Sequence, residues 1–105
     1  MTVLTREENK AVIRPAGDTI VAANAPALRT ALRAMLAEGV TDLVVDLDRV
    51  HMVDSSGIGL LISVHNSLRK TGGHLSLIHV SAELVELFGI MRITQHFSVS
   101  GVGND

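Results

Sequence analysis

Apolar residues cluster at Leu43, Val44, Val45 and Leu47, and acids at Asp46 and Asp48 interrupt and end the run. A short apolar run of this kind predicts a strand covered on at least one face. The strand should end at Asp48, and Arg49 to Val53 should form a short loop. Asp54-Ser55-Ser56-Gly57-Ile58-Gly59 then leads into a second apolar run from Leu60. Ser56 stands at the expected N-cap of a helix, with Gly57 and Ile58 in its first turn. That helix should reach about Lys70 and be closed by Gly72-Gly73. Ile58, Leu61, Ile62 and His65 make one stripe along it, and Leu60 and Val64 a second. A helix apolar over so much of its circumference is well buried.

The remaining elements follow from the same periodicities. Thr2 to Thr5 predicts an edge strand, Glu7-Glu8-Asn9-Lys10 a polar turn, and Ala11 to Pro15 a second strand that ends at the proline. Thr19-Ile20-Val21 is a short extended piece. Asn24 is the expected N-cap of the first helix, with Pro26 early in it. Leu28, Leu32, Met35 and Leu36 form its apolar face, Arg29 and Arg33 should face water, and Gly39 stops it. His74 to Val80 alternates as a strand, with Leu75 and Leu77 on one side. Ser81 caps a third helix whose buried face is Leu84, Leu87 and Phe88, with Gly89 near its end. Ile93, Phe97 and Val99 predict a last strand, and residues from Gly101 to Asp105 a loose tail. Helices alternating with strands mean α/β. The strand before the second helix and the strand after it should be parallel. The first strands, too close for crossovers, should pair antiparallel, so the sheet is mixed.

Composition narrows the classes of function. The 105 residues suffice for one domain, residues 1–105, with a core of its own. The net charge is −2, so nothing points to nucleic acid. The chain has no cysteine, which excludes disulfides and thiolate metal sites. Arg6, Glu7, Glu8 and Lys10 break the start of the chain, so it is not the apolar core of a signal peptide. No apolar run approaches the roughly 18 residues of a membrane span. A cytoplasmic location is expected.

Three chemistries can be weighed against simpler roles. His51, Asp54 and Ser56 contain the residue types of a hydrolytic triad. However, the position two residues before the serine is Asp54 rather than the glycine of a nucleophile elbow, and an acid there opposes an oxyanion. A serine N-cap in a tight loop accounts for the same residues. His51, His65, His74, His79 and His96 lack paired-ligand spacing, and His74 and His79 should point to opposite faces of their strand. No metal or cofactor is expected. Ser-Gly-Ile-Gly at a helix start offers free N–H groups and partial positive charge but lacks the lysine of a P-loop. A phosphate carried covalently by the serine needs no such lysine. Asp54 either accepts a hydrogen bond from the loop or orients the serine.

Asp54-Ser55-Ser56-Gly57-Ile58-Gly59 after this strand resembles the STAS domain of bacterial anti-sigma factor antagonists. The resemblance continues through His65-Asn66-Ser67-Leu68, Gly72-Gly73, Leu75 to Val80, and Ser81 to Met91. It implies a STAS fold: a mixed β-sheet with helices packed mainly on one face. It also implies partner switching in signal transduction and transcription regulation, with no enzymatic activity. The unphosphorylated protein would bind an anti-sigma factor with serine kinase activity, whose ATP belongs to that partner. Phosphorylation would end the binding, and a serine phosphatase would restore it. The phosphorylated residue maps to Ser56, with Ser55 as the alternative, and the binding surface to Asp54 through Gly59. A STAS module can also serve a chemotaxis, stress-signalling or lipid-transport complex without a sigma-factor role. Two features depart from the family. Val21, flanked by Ala22 and Ala23, stands where many relatives carry an acid. The chain also stops at Asp105, before a final helix common in the family, which would leave a surface for a partner or for a second copy in a homodimer.

Overall fold

The structure, a computed structural model, describes residues 1–93 and 98–101. The polar turn at Glu8 and Asn9 folds strand β1 (Thr2–Glu7) back on β2 (Lys10–Arg14), antiparallel, with Glu7 opposite Lys10. Strand β3 (Thr19–Ile20) precedes helix α1 (Ala25–Ala37), and β4 (Asp42–Asp46) follows it. After β5 (Met52–Val53) come helix α2 (Ser55–Arg69), strand β6 (His74–Val80), helix α3 (Ala82–Ile90) and strand β7 (Ser98–Gly101). The main sheet has the order β1-β2-β4-β6-β7, and every pairing after the first is parallel.

The register explains why the helices lie on one face. Ala11, Leu43 and Leu75 sit side by side on one rung, and Ile13, Val45 and Leu77 on another. All six are at most 1% exposed. Because side chains alternate along a strand, the rung between them turns the other way. That rung holds Val12, Val44 and Ser76, each only half-buried. The covered face meets Leu28, Leu32 and Met35 of α1, both stripes of α2, and Leu84 and Phe88 of α3 in one core. His65 on the first stripe of α2 is buried with it.

Several details differ from the pattern. The extended piece at Thr19 does not join the first strands. It pairs in parallel with Met52 and Val53, where only loop was expected, to make a second small sheet. Strand β4 ends at Asp46, two residues early, because Leu47 and Val50 turn inward into the core. Ile93 lies in a turn before β7 and is buried there rather than in a strand. Phe97 and residues 102–105, the expected strand residue and tail, lie outside the described residues, while Gly101 closes β7.

One cluster stands on the open face. Asp46, 3% exposed, accepts from Arg14 Nη2 at 3.1 Å and from the Asp48 N–H at 2.9 Å, and its Oδ1 lies 2.9 Å from His79 Nδ1. His79 reaches it because its φ is +55°, and the register of β6 against β7 shifts at the same place. That turn of the backbone overrides the expected alternation. His74 meets Asp42 at 3.3 Å and His79 meets Asp46, so both histidines face carboxylates of alternate β4 positions, on one side of the sheet. Burial pushes the Asp46 carboxyl up, but the bonds from His79, Asp48 and Arg14 outweigh it and hold it below the ordinary carboxylate value. A depressed folded pKa stabilises the protein above the unfolded value of about 3.9, and this stability is lost as pH falls through the folded pKa. Asp46→Asn is therefore expected to lose on the order of 1–3 kcal/mol at neutral pH. The gap to the wild type should narrow as the solution is acidified below about pH 4. Urea unfolding of both proteins along a pH series checks this.

Candidate functional site

The loop before α2 is held by the small sheet. The Asp54 N–H donates to the Ile20 carbonyl at 3.2 Å, and the His51 N–H to Asp18 at 2.9 Å. Gly57 lets α2 approach this sheet closely, since a methyl group there would collide with the Ile20 carbonyl and the Val53 side chain. On the other side, Asn24 is at the N-cap position of α1 but does not cap it. Its side chain turns back instead, accepting from the Val21 N–H at 2.8 Å and donating to the Thr19 carbonyl at 2.7 Å. The β3–α1 loop is thereby tied to itself, and the Ala22 N–H is left pointing at α2.

Asp54 links the two loops. Its backbone is extended, and its Oδ1 accepts from the Ser56 N–H at 2.9 Å and the Gly57 N–H at 3.1 Å. Its Oδ2 accepts from the Ala22 N–H at 3.2 Å. Asp54, not Ser56, is thus the N-cap, and α2 starts at Ser55. The sequence carried the signal, because aspartate caps as well as serine. The open donors expected for a phosphate are also reduced, since two first-turn N–H groups already serve Asp54. Of the two roles open to Asp54, the loop contacts are the ones it makes.

The capping carboxylate leaves the Ser56 hydroxyl with no hydrogen-bond partner among the described residues. Ser56 is half-buried and lines an open groove between α1 and α2, together with Ala22, Arg29 and Gly59. Ser55 and Gly59 are exposed, whereas Gly57 and Ile58 are buried. The last two therefore position the surface and do not present side chains on it. The sequence placed Arg29 against water and gave no sign of the groove, which exists only when α1 and α2 lie side by side. Arg33 is exposed as expected, and it also donates to the Ser63 hydroxyl at 3.1 Å.

The hydrolytic arrangement is not assembled. His51 is exposed, and no hydrogen bond joins the Ser56 hydroxyl to it or to the Asp54 carboxylate. Among the described residues, no three His, Cys, Asp or Glu side chains gather as metal ligands, and His96 lies outside them. No helix among the described residues is long and apolar enough to cross a membrane.

Comparison with known proteins identifies the family and the fold. Residues 2–102 match the STAS domain. The chain is 34% identical to the anti-sigma-B factor antagonist of Bacillus subtilis over 95 residues, which cover 90% of this chain and 85% of that protein. The chain belongs to the STAS-domain family of anti-sigma factor antagonists. Its fold is shared by an anti-sigma factor antagonist from Mycobacterium paratuberculosis, with a TM-score of 0.80 at 22% identity over 94% of this chain and 84% of that one. It is also shared by the Bacillus cell fate determinant SpoIIAA in its phosphorylated form. There the TM-score is 0.73 at 18% identity, over 93% of this chain and 88% of that one. In this STAS domain the departure at Val21 falls beside the loop, where Val21 is half-buried and Ala22 and Ala23 are exposed. The surface flanking the serines is therefore small-residued and uncharged on the α1 side until Arg29.

Proposed function

We propose that this STAS domain is a phosphorylation-controlled antagonist of an anti-sigma factor. Unphosphorylated, it binds an anti-sigma factor that carries serine kinase activity, and this releases a sigma factor. The kinase then phosphorylates Ser56, using its own bound ATP, and the complex dissociates. A serine phosphatase resets the cycle in the cytoplasm. The domain works by binding and carries out no catalysis of its own.

The observation behind this reading is the uncommitted hydroxyl. A serine used as an N-cap would have to give up its bond to the helix before reacting. Here Asp54 caps α2, so modification of Ser56 disrupts no hydrogen bond of the fold. The Bacillus subtilis relative is an anti-sigma-B factor antagonist, and SpoIIAA, with the same fold, has been solved in unphosphorylated and phosphorylated forms. Incubation with the cognate kinase and ATP should add one phosphate, and tandem mass spectrometry should place it on Ser56. A phosphate on Ser55 alone, or none in the presence of a kinase that demonstrably binds the domain, would sink the assignment.

A further inference from the structure

The groove between α1 and α2 contains a cation with no assigned task. Arg29 is exposed, lines the groove with Ser56, and makes no hydrogen bond or ion pair among the described residues. Its surroundings are small: Ala22, Ala25 and Gly59 share the lining, and a methyl group added at Gly59 would meet nothing within 4 Å. Apart from the small apolar Ala22, Ala25 and Pro26, the lining beside Ser56 offers only this arginine and Thr30, whose hydroxyl donates to the Pro26 carbonyl at 3.1 Å.

The register of the two helices sets Arg29 across the groove from Ser56. Ala22, just before α1, contacts Asp54, just before α2, and farther on Arg33 contacts Ser63, so the helices run side by side in the same direction. Arg33 spans the groove to the Ser63 hydroxyl at 3.1 Å. One turn back on both helices, Arg29 replaces Arg33 and Gly59 replaces Ser63. Gly59 offers no hydroxyl, so Arg29 has nothing at its own level. Helical side chains lean toward the N-terminus, which carries the guanidinium on toward Ser56.

We infer that Arg29 holds the phosphate of phosphorylated Ser56 across this groove, bridging α1 to α2. The inference rests on Ser56 as the modified residue. The helix terminus alone cannot take the charge, because the Asp54 carboxylate already occupies the Ser56 and Gly57 N–H groups and adds a negative charge of its own. A guanidinium matches two phosphate oxygens at once, which a neutral groove wall does not. The phosphate is then drawn inward over the small residues, and α1 reports the modification state of α2.

The test installs phosphoserine at position 56 by genetic encoding, with no kinase involved, and titrates it by phosphorus NMR at low ionic strength. The second phosphate ionisation normally falls near about pH 6. A neighbouring cation favours the dianion, so in the wild type this midpoint should lie lower than in Arg29→Gln by about half a pH unit or more. Arg29→Lys should restore part of the shift, since it keeps the charge and loses the fork. Arg33→Gln, one turn away, should titrate like the wild type. Coincident curves for the wild type and Arg29→Gln would overturn the inference. So would an equal displacement in Arg33→Gln, which would make the effect a general field. Because the phosphate is placed chemically, these results are independent of which serine a kinase selects; mass spectrometry of the kinase product decides that separately.

Discussion

Phosphorylation of Ser56 is expected to weaken binding of the anti-sigma factor by at least about tenfold, equivalent to about 1.4 kcal/mol, without unfolding the domain. A phosphoserine adds a charge of about −1.5 to −2 and acceptor oxygens to a surface that previously offered a neutral hydroxyl. The fold has little reason to respond. The Ser56 hydroxyl holds no hydrogen bond among the described residues, and the cap bonds from the Ser56 and Gly57 N–H groups to Asp54 do not involve it. The partner does have reason to respond. A face complementary to Asp54 and a bare groove now meets added bulk and charge, and any acidic or nucleotide-bearing surface is repelled. Calorimetry on the two forms gives the affinity ratio. Amide NMR gives the extent of the change, which should be confined to the groove, near residues 22–30 and 54–62, and absent from α3 and β6. Changes spread through α3 and the sheet would indicate a global conformational switch instead. Equal affinities would remove the switch.

Leu61→Ala should cost about 2–5 kcal/mol, as other leucine truncations in packed cores do. Leu61 is fully buried on α2, which lies over the sheet and beside α1. Truncation loses the transfer free energy of the removed atoms and leaves a cavity that the strands beneath cannot easily close. A domain of this size has only about 5–15 kcal/mol in total, so the variant should unfold at visibly lower denaturant. Ile62→Ala, one residue along and only half-buried, should cost less, because less of its side chain is removed from water on folding. Urea titration of both variants checks the orientation of the helix. A loss under about 1 kcal/mol for Leu61→Ala, or a larger loss for Ile62→Ala, would mean that α2 presents a different face.

Much of this architecture was legible along the chain. The alternation of Leu75 and Leu77 with polar neighbours marked β6 and its covered face. The helical stripes of α1 and α2 named most of the residues that those two helices bury, and Ser81 reads as a cap, accepting from the Leu84 N–H at 3.3 Å. These features are local, set by the periods of strand and helix and by the hydrogen-bonding reach of one side chain. The loop with Asp54, Ser55 and Ser56 was legible too, both as a helix start and by its family resemblance.

The tertiary structure decided the rest, wherever two local solutions were of similar free energy or the partner was distant in sequence. Asp54 and Ser56 are equally competent caps; pairing of β5 with β3 brings Asp54 to the Ala22 N–H, and that third hydrogen bond selects it. The two-residue strands have too little pattern to be read alone and exist because each completes the other. His79 leaves the expected alternation because a positive φ carries it to Asp46, across the sheet. Arg29 read as a solvated arginine because nothing nearby in sequence gives it a partner; only the side-by-side packing of α1 and α2 sets it across a groove from Ser56. Periodicity thus determined which residues are buried and where the elements lie. Long-range backbone pairing and helix packing determined which polar group meets which, because those contacts join residues that the local pattern treats as independent.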